Sequence, residues 1–393
     1  MITLRPHQER IIDRLKNYNR GQVIVPTGGG KTLTMIMDTK RLFSGDTPQT
    51  VVVVAPRILL ANQLCKEFLE EITDPMVRIL HVHSGETHHE STTKPDYIYD
   101  WAVQTWKRNR IIFTTYHSLQ RIVDADIEVN TIYFDEAHNS VQRHFHPATK
   151  FFSANADRSY FYTATPKHSL TPSKPGMNNP DVYGQVLVNV PAPELVEGGY
   201  ILPPKVVVKQ LPMIKGRKVM YADDCDNLLE TIDDNDISKT LICARTTKQI
   251  INLISQSDFC AELYQRGYSW MTITSKTGAI IDGKKVNREV FFETLNAWGK
   301  DSSKKFVVLH HSILSEGINV SGLEAVIFMR SMDYIGISQS IGRVIRLGDK
   351  SKTFGLVCVP TYDKVGVTTA RKVQAVVDTV FNQGQPAISE IRR

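Results

Sequence analysis

Short runs of β-branched and aromatic residues alternate with amphipathic stretches along most of this 393-residue chain. "GQVIV" (21–25), "TVVVVA" (50–55), "IIFTT" (111–115), "TIYFDE" (131–136) and "SYFYTAT" (159–165) are near-continuous apolar runs. Strands buried on both faces read this way, because helices cover both sides of a parallel sheet. Between them, "LLANQLCKEFLEEI" (59–72) has helical spacing. Strand, helix, strand at this spacing predicts βαβ units and a doubly wound parallel sheet, an α/β fold.

The rhythm breaks at 166–200. "PKHSLTPSKPGMNNPDVYG" is rich in turn residues and reads as loop. "APELVEGGYILPPK" reads as a short helix followed by a proline-stiffened linker. Strand-like runs then resume with "KTLICA" (239–244), "KKFVVLHH" (304–311), "EAVIFMR" (324–330) and "FGLVCVP" (354–360). The expected division is therefore 1–200 and 201–393. At 41% hydrophobic and 22% charged residues, the chain can fill two cores.

A net charge of +6 is compatible with a nucleic-acid partner without requiring one. The five cysteines, at 65, 225, 243, 260 and 358, form no Cys-x-x-Cys pair, so neither a disulfide scaffold nor a zinc ribbon is expected. The polar N-terminus is unlike a signal peptide, and no apolar stretch reaches the roughly 18 residues that span a bilayer. These features predict a soluble intracellular protein with no membrane partner.

"VIVPTGGGKT" (23–32) sits between a strand and a helix. Thr27, Gly28, Gly29 and Gly30 form a turn whose amides can approach phosphate oxygens, and the helix start adds partial positive charge. Lys31 is placed to reach β- and γ-phosphates and Thr32 to bind Mg²⁺, which together predict ATP as ligand. The usual pattern has glycine where this chain has Val25. "FDEAH" (134–138) ends an apolar strand, where doubly wound folds place their chemistry. Asp135 would hold the Mg²⁺ shell, and Glu136 would orient or deprotonate a water. In "SQSIGRVIR" (338–346), Gln339, Arg343 and Arg346 stand at i, i+4 and i+7, predicting one helix face. Its two arginines fit the stabilisation of γ-phosphate charge.

The ordered set of motifs resembles superfamily 2 helicases of the DEAH type. The likeness is to type III restriction-enzyme helicase subunits and to phage and viral DNA helicases. The resemblance implies two RecA-like domains in tandem with an ATP cleft between them. It implies that "TLRPHQ" (3–8) reads adenine through Gln8, with Arg5 supporting the nucleotide. "APRILLANQ" (55–63) and "TTYHSL" (114–119) would contact nucleic acid through Arg57, Gln63 and Thr115. "ICARTT" (242–247) would add Arg245 and Thr246. "TATP" (163–166) would couple hydrolysis to nucleic acid through Thr163 and Thr165, with His138. "SEGIN" (315–319) would link ATP to the strand around Gly317 and Asn319. The family usually has aspartate where this chain has Asn319, and threonine near His311.

The resemblance favours DNA over RNA as the partner. It also leaves room for a protein partner that supplies targeting or nuclease function. Other features read as background. His81, His83, His88 and His89 are expected in a solvated loop, and Trp101 and Trp298 in a core. "GAIIDGKKV" (278–286) predicts a β-hairpin through Asp282-Gly283, which in a helicase could serve as a wedge.

Overall fold

The computed structural model describes residues 3–171, 173–211, 220–274, 276–311, 322–329, 332–347, 352–362, 367–381 and 389–392. The chain divides into two units, Met1–Val190 and Pro191–Arg393. This division lies before the 200/201 boundary expected above. The helix Ala192–Glu197 and its exit belong to the second unit, where Leu202 N–H donates to Ile345 O at 2.6 Å.

Among the described residues, the first unit holds seven strands: β1 (Arg20–Ile24), β2 (Thr50–Ala55), β3 (Arg78–Val82), β4 (Arg110–Thr115), β5 (Thr131–Phe134), β6 (Arg158–Thr163) and β7 (Gln185–Asn189). They form one parallel sheet in the order β3-β4-β2-β5-β6-β1-β7. Every residue of β2 and β5 is buried, as their unbroken apolar runs require. Three helices frame the site: α1 (Pro6–Asn17), α2 (Lys31–Phe43) and α3 (Ile58–Glu71). α1 starts at Pro6, where a missing N–H costs nothing, and buries Ile11, Ile12 and Leu15. α2 buries one carboxylate, Asp38, which accepts from Tyr133 Oη at 2.6 Å and from Arg41 Nη2 at 2.7 Å. A charge taken out of water needs such partners.

β7 lies inside the 166–200 break in the strand rhythm, directly after the stretch 166–184 that reads as loop. It adds a parallel edge strand beside β1, with a register shift between Gln22 and Val23. Gly184 turns the chain into it at φ +64°, where a Cβ would meet Arg20 O and Gly21 Cα at 3.0 Å. Only glycine fits such a close approach without strain.

Among the described residues, the second unit holds nine strands: β8 (Pro204–Leu211), β9 (Lys239–Cys243), β10 (Tyr268–Thr274), β11 (Gly278–Ile281), β12 (Lys284–Val286), β13 (Lys305–His310), β14 (Ala325–Phe328), β15 (Gly355–Tyr362) and β16 (Ser389–Arg392). Their order is β12-β11-β10-β13-β9-β14-β15-β8-β16, parallel except for β10–β11–β12. The two units are thus both RecA-like α/β sheets, as the fold expectation had it. The expected hairpin forms, with Asp282 at φ 44° and Gly283 at φ 81°. Asp282 Oδ1 accepts Trp270 N–H at 2.7 Å, so the hairpin lies along the sheet edge and does not project as a wedge. Its turn is also level with the start of β10, away from the strand ends that carry the motifs. Among the described residues, no helix is long and apolar enough to cross a membrane.

Candidate functional site

The motif residues of the first unit gather because their strands end together. Ile24 pairs with Thr163, Phe134 with both Val54 and Phe161, and Ala55 with Thr115. Each motif begins just beyond the carboxyl end of one of these parallel strands, the side on which α/β sheets bind ligands.

The glycine turn after β1 is held from behind by α1. Arg5 Nη1 donates to Gly28 O at 3.3 Å, His7 Nε2 to Gly29 O at 2.7 Å, and Gln8 Nε2 to Gly30 O at 3.3 Å. Gln8 Oε1 also accepts Arg5 N–H at 2.9 Å. Both ends of the Gln8 amide therefore meet protein. Sequence reasoning singled out Arg5 and Gln8 but passed over His7, which is 1% exposed. Its only signal was a polar side chain on the apolar face of α1. Gly30 is left-handed at φ +80°, and a Cβ there would lie 2.3 Å from Gln8 Nε2. Val25, the departure from the usual loop, extends the sheet instead: its N–H donates to Thr163 O at 3.0 Å, and its side chain is buried. Lys31 Nζ donates to Val25 O at 3.3 Å. Thr27 and Thr32 are half-buried, at the loop and in the first turn of α2.

Asp135 and Glu136 follow β5 and are both buried. Burial first, and then the neighbouring Glu136 charge, push the Asp135 carboxyl up to about 7, against the pull of Lys31. A buried carboxylate without enough compensating charge favours its neutral form. Tyr116 Oη donates to Asp135 O at 2.8 Å, a support absent from the sequence reading. Glu136 sits at φ 47°, ψ 52°, a region that a side-chain-bearing residue enters at a cost. Its Oε2 is buried without a hydrogen-bond partner among the described residues, as is Thr165 Oγ1.

His138 joins this acid pair to β6. Asn139 Nδ2 donates to His138 Nε2 at 3.3 Å, so in the neutral ring Nδ1 carries the proton. Nδ1 then donates to Thr163 Oγ1 at 3.0 Å and lies 3.5 Å from Glu136 Oε2. Thr163 Oγ1 also accepts Thr165 N–H at 3.1 Å.

These groups fit a magnesium nucleotide. Mg²⁺ in such sites takes one or two protein oxygens, the rest coming from phosphate and water. That agrees with one underneutralised Asp135 beside Lys31.

The nucleic-acid candidates are placed less uniformly. Arg57 is exposed at the N-cap of α3, and Thr115 ends the neighbouring β4. Gln63 Nε2 donates to Glu67 Oε1 at 2.8 Å. In the second unit, Arg245 Nη2 lies 3.4 Å from Asp224 Oδ2, and Thr246 Oγ1 caps the helix Thr247–Gln256 by accepting Gln249 N–H at 3.0 Å. Gln339 and Arg343 lie on the helix Tyr334–Val344 and are buried. Arg346 does not share their helix face. The helix ends at Val344, because the chain turns out to pair with residues 201–202, and Arg346 forms a β-bridge with Ile201. Gly317 and Asn319 lie outside the described residues.

The histidine segment also departs from expectation. His81 lies in β3 and is fully buried, with His83 close to it, because residues 90–92 return to pair with His81. Gly85 N–H donates to His83 Nδ1 at 3.2 Å, so neutral His83 donates through Nε2 to His81 Nδ1 at 3.0 Å. Burial, then His83 and His89, lower His81 to about 3. Trp101 is a core residue, and half-buried Trp298 packs on Phe306 with centroids 5.8 Å apart.

Residues 1–168 match the family described as type III restriction enzyme, res subunit. The chain resembles a superfamily 2 helicase. Solved structures agree with the chain in fold. The ATP-dependent type ISP restriction-modification enzyme LlaBIII bound to DNA matches all of this chain with a TM-score of 0.74 at 18% identity. The chain spans only 31% of that enzyme's length. A putative HsdR subunit fragment from Vibrio vulnificus YJ016 matches 98% of the chain and 66% of its own, with a TM-score of 0.63 at 15% identity. S. cerevisiae Dbp5 bound to RNA and ADP BeF3 matches 98% of the chain and 89% of its own, with a TM-score of 0.61 at 16% identity. No curated protein matches the chain in sequence.

Proposed function

We propose that the chain is a nucleic-acid-dependent ATPase, the motor of an ATP-dependent DNA helicase or translocase. The observation that supports this most is the buried acid pair beyond β5. Among the described residues Glu136 Oε2 has no hydrogen-bond partner there, and Asp135 stands beside Lys31. An unpartnered buried carboxylate oxygen is suited to accept a proton from a water, and Glu136 is the proposed base. Asp135 and Thr32 would hold Mg²⁺, which neutralises phosphate charge when bound. Thr27, Gly28, Gly29, Gly30 and Lys31 would hold the phosphates, with Gln8 the proposed adenine contact and Arg5 its support. Arg343 and Arg346 are the proposed cations for γ-phosphate charge, assisted by Gln339, and Gly317 and Asn319 the proposed ribose-side contacts. Arg57, Gln63, Thr115, Arg245 and Thr246 are the proposed nucleic-acid contacts. His138, Thr163 and Thr165 would couple the two.

DNA is the proposed track, because the type ISP relative is described as bound to DNA. The likeness to RNA-bound Dbp5 favours RNA as the second reading. A protein partner would supply targeting or nuclease function, and the proposed setting is intracellular. The test is steady-state ATP hydrolysis alone and with single-stranded, double-stranded and branched DNA and with RNA, using Glu136→Gln as control. Strong stimulation by one DNA form, absent in the variant, is the expected result. Stimulation by RNA alone would transfer the reading to RNA. No stimulation by any of them would overturn it.

A further inference from the structure

We infer that His7 is a positioning residue for the phosphate loop, locking the Gly29–Gly30 peptide so that the Gly30 amide faces bound phosphate. The inference rests on the nucleotide reading of loop 26–32 proposed above. A trans peptide is planar, so its carbonyl and its N–H point in opposite directions. Three consecutive loop carbonyls, of Gly28, Gly29 and Gly30, point at α1 and accept from Arg5, His7 and Gln8. The N–H groups of those same peptides, on Gly29, Gly30 and Lys31, must then face away from α1. Gly29 N–H is already spent on Pro26 O at 3.0 Å. The amides of Gly30 and Lys31 are left to meet an anion at the start of α2, where a helix presents unpaired donors.

Of the three contacts, that of His7 is the shortest, and its ring is almost fully buried. The acceptor is a carbonyl, so Nε2 carries the proton. The Arg5 and Gln8 contacts are both 3.3 Å, and Gln8 is shared with the Arg5 backbone. Three successive glycines flip their peptides at little cost. A flip of the Gly29–Gly30 peptide would turn a carbonyl oxygen, not an N–H, toward phosphate. Loss of the His7 donor releases that flip without touching Lys31, Asp135 or Glu136.

The test compares His7→Leu with His7→Gln, two side chains of similar size of which only the second donates. Each is titrated with a fluorescent N-methylanthraniloyl ADP in Mg²⁺, with its melting temperature and its kcat and KM for ATP measured alongside. The expected result is about tenfold weaker nucleotide binding and a similarly raised KM in His7→Leu, the size of one lost buried hydrogen bond. kcat is expected to stay within about threefold, and His7→Gln to recover most of the affinity. Equal binding by the two variants, at whatever level, would overturn the role of His7 while leaving the nucleotide reading intact. Loss of the fold in both would make His7 a core residue and overturn it too. A wild-type protein that binds no nucleotide would sink the functional reading and this inference together.

Discussion

His138 Nδ1 lies 3.0 Å from Thr163 Oγ1, a bond that ties the segment after β5 to the end of β6. The same nitrogen is 3.5 Å from Glu136 Oε2, so one imidazole touches both the proposed base and the threonine of the neighbouring motif. His138→Ala and Thr163→Val should each keep basal ATP hydrolysis within about threefold and cut its stimulation by nucleic acid five- to tenfold, the usual range of a coupling energy. The double variant should lose no more than either single one. Additive losses in the stimulation factor would show that the two residues act separately.

Gly30→Ala should damage the phosphate loop. The position has φ +80°, and the new methyl would meet Gln8 Nε2 at 2.3 Å. A left-handed alanine alone costs about 1–2 kcal/mol. Nucleotide affinity should fall at least about tenfold, with a lower melting temperature. An unchanged dissociation constant, read by fluorescent nucleotide titration, would contradict the clamp.

Asp135 predicts a pH-dependent stability. Its carboxyl is raised from the ordinary 3.8 to about 7, so the folded chain holds the proton more tightly than the unfolded one. The stability from this proton is fully present below the unfolded value and is lost as pH rises through about 7. Asp135→Asn keeps a neutral group at every pH. Without Mg²⁺ or nucleotide, the variant should melt higher than wild type at pH 8, with the gap closing as pH falls toward 4. Parallel melting curves across that window would show that Asp135 is not held in its neutral form. ATP hydrolysis should be lost in the variant at all pH values.

Lys284 and Lys285 should be dispensable for strand separation. They lie on β12, at the edge of the second sheet, in a hairpin pinned flat by Asp282 to Trp270. Exposed lysines on an edge strand block sheet-to-sheet association. The double alanine variant should unwind a forked duplex within about twofold of wild type, as exposed substitutions far from a site generally do. A tenfold loss would restore the hairpin as a wedge.

The strands and the glycine turn were legible in the chain because their causes are local. A strand covered on both faces needs an apolar residue at nearly every position, so β2 and β5 announce themselves in "TVVVVA" and "TIYF". A loop that approaches phosphate needs glycine, and Gly28, Gly29 and Gly30 stand next to Lys31 in the sequence itself. Asp135 and Glu136 follow an apolar run for the same reason. The sequence alone therefore determined the α/β class, the two sheets and the groups proposed for phosphate chemistry.

Tertiary structure decided everything that depended on a distant partner. β7 takes its place in the sheet by pairing along the edge that β1 offers it, which no reading of residues 185–189 alone could assign. Arg346 leaves the arginine helix because Ile201 competes for the backbone that would have continued it. His81 is buried because residues 90–92 fold back over it, and neutral because that burial removes the water that would solvate its charge. His7 looked like one more polar residue until the fold brought Gly29 O to within 2.7 Å of it. Periodicity and glycine content act over a few residues and can be read along the chain. A polar side chain's role is set by what burial leaves for it to pair with, and that is known only once the whole unit has closed around it.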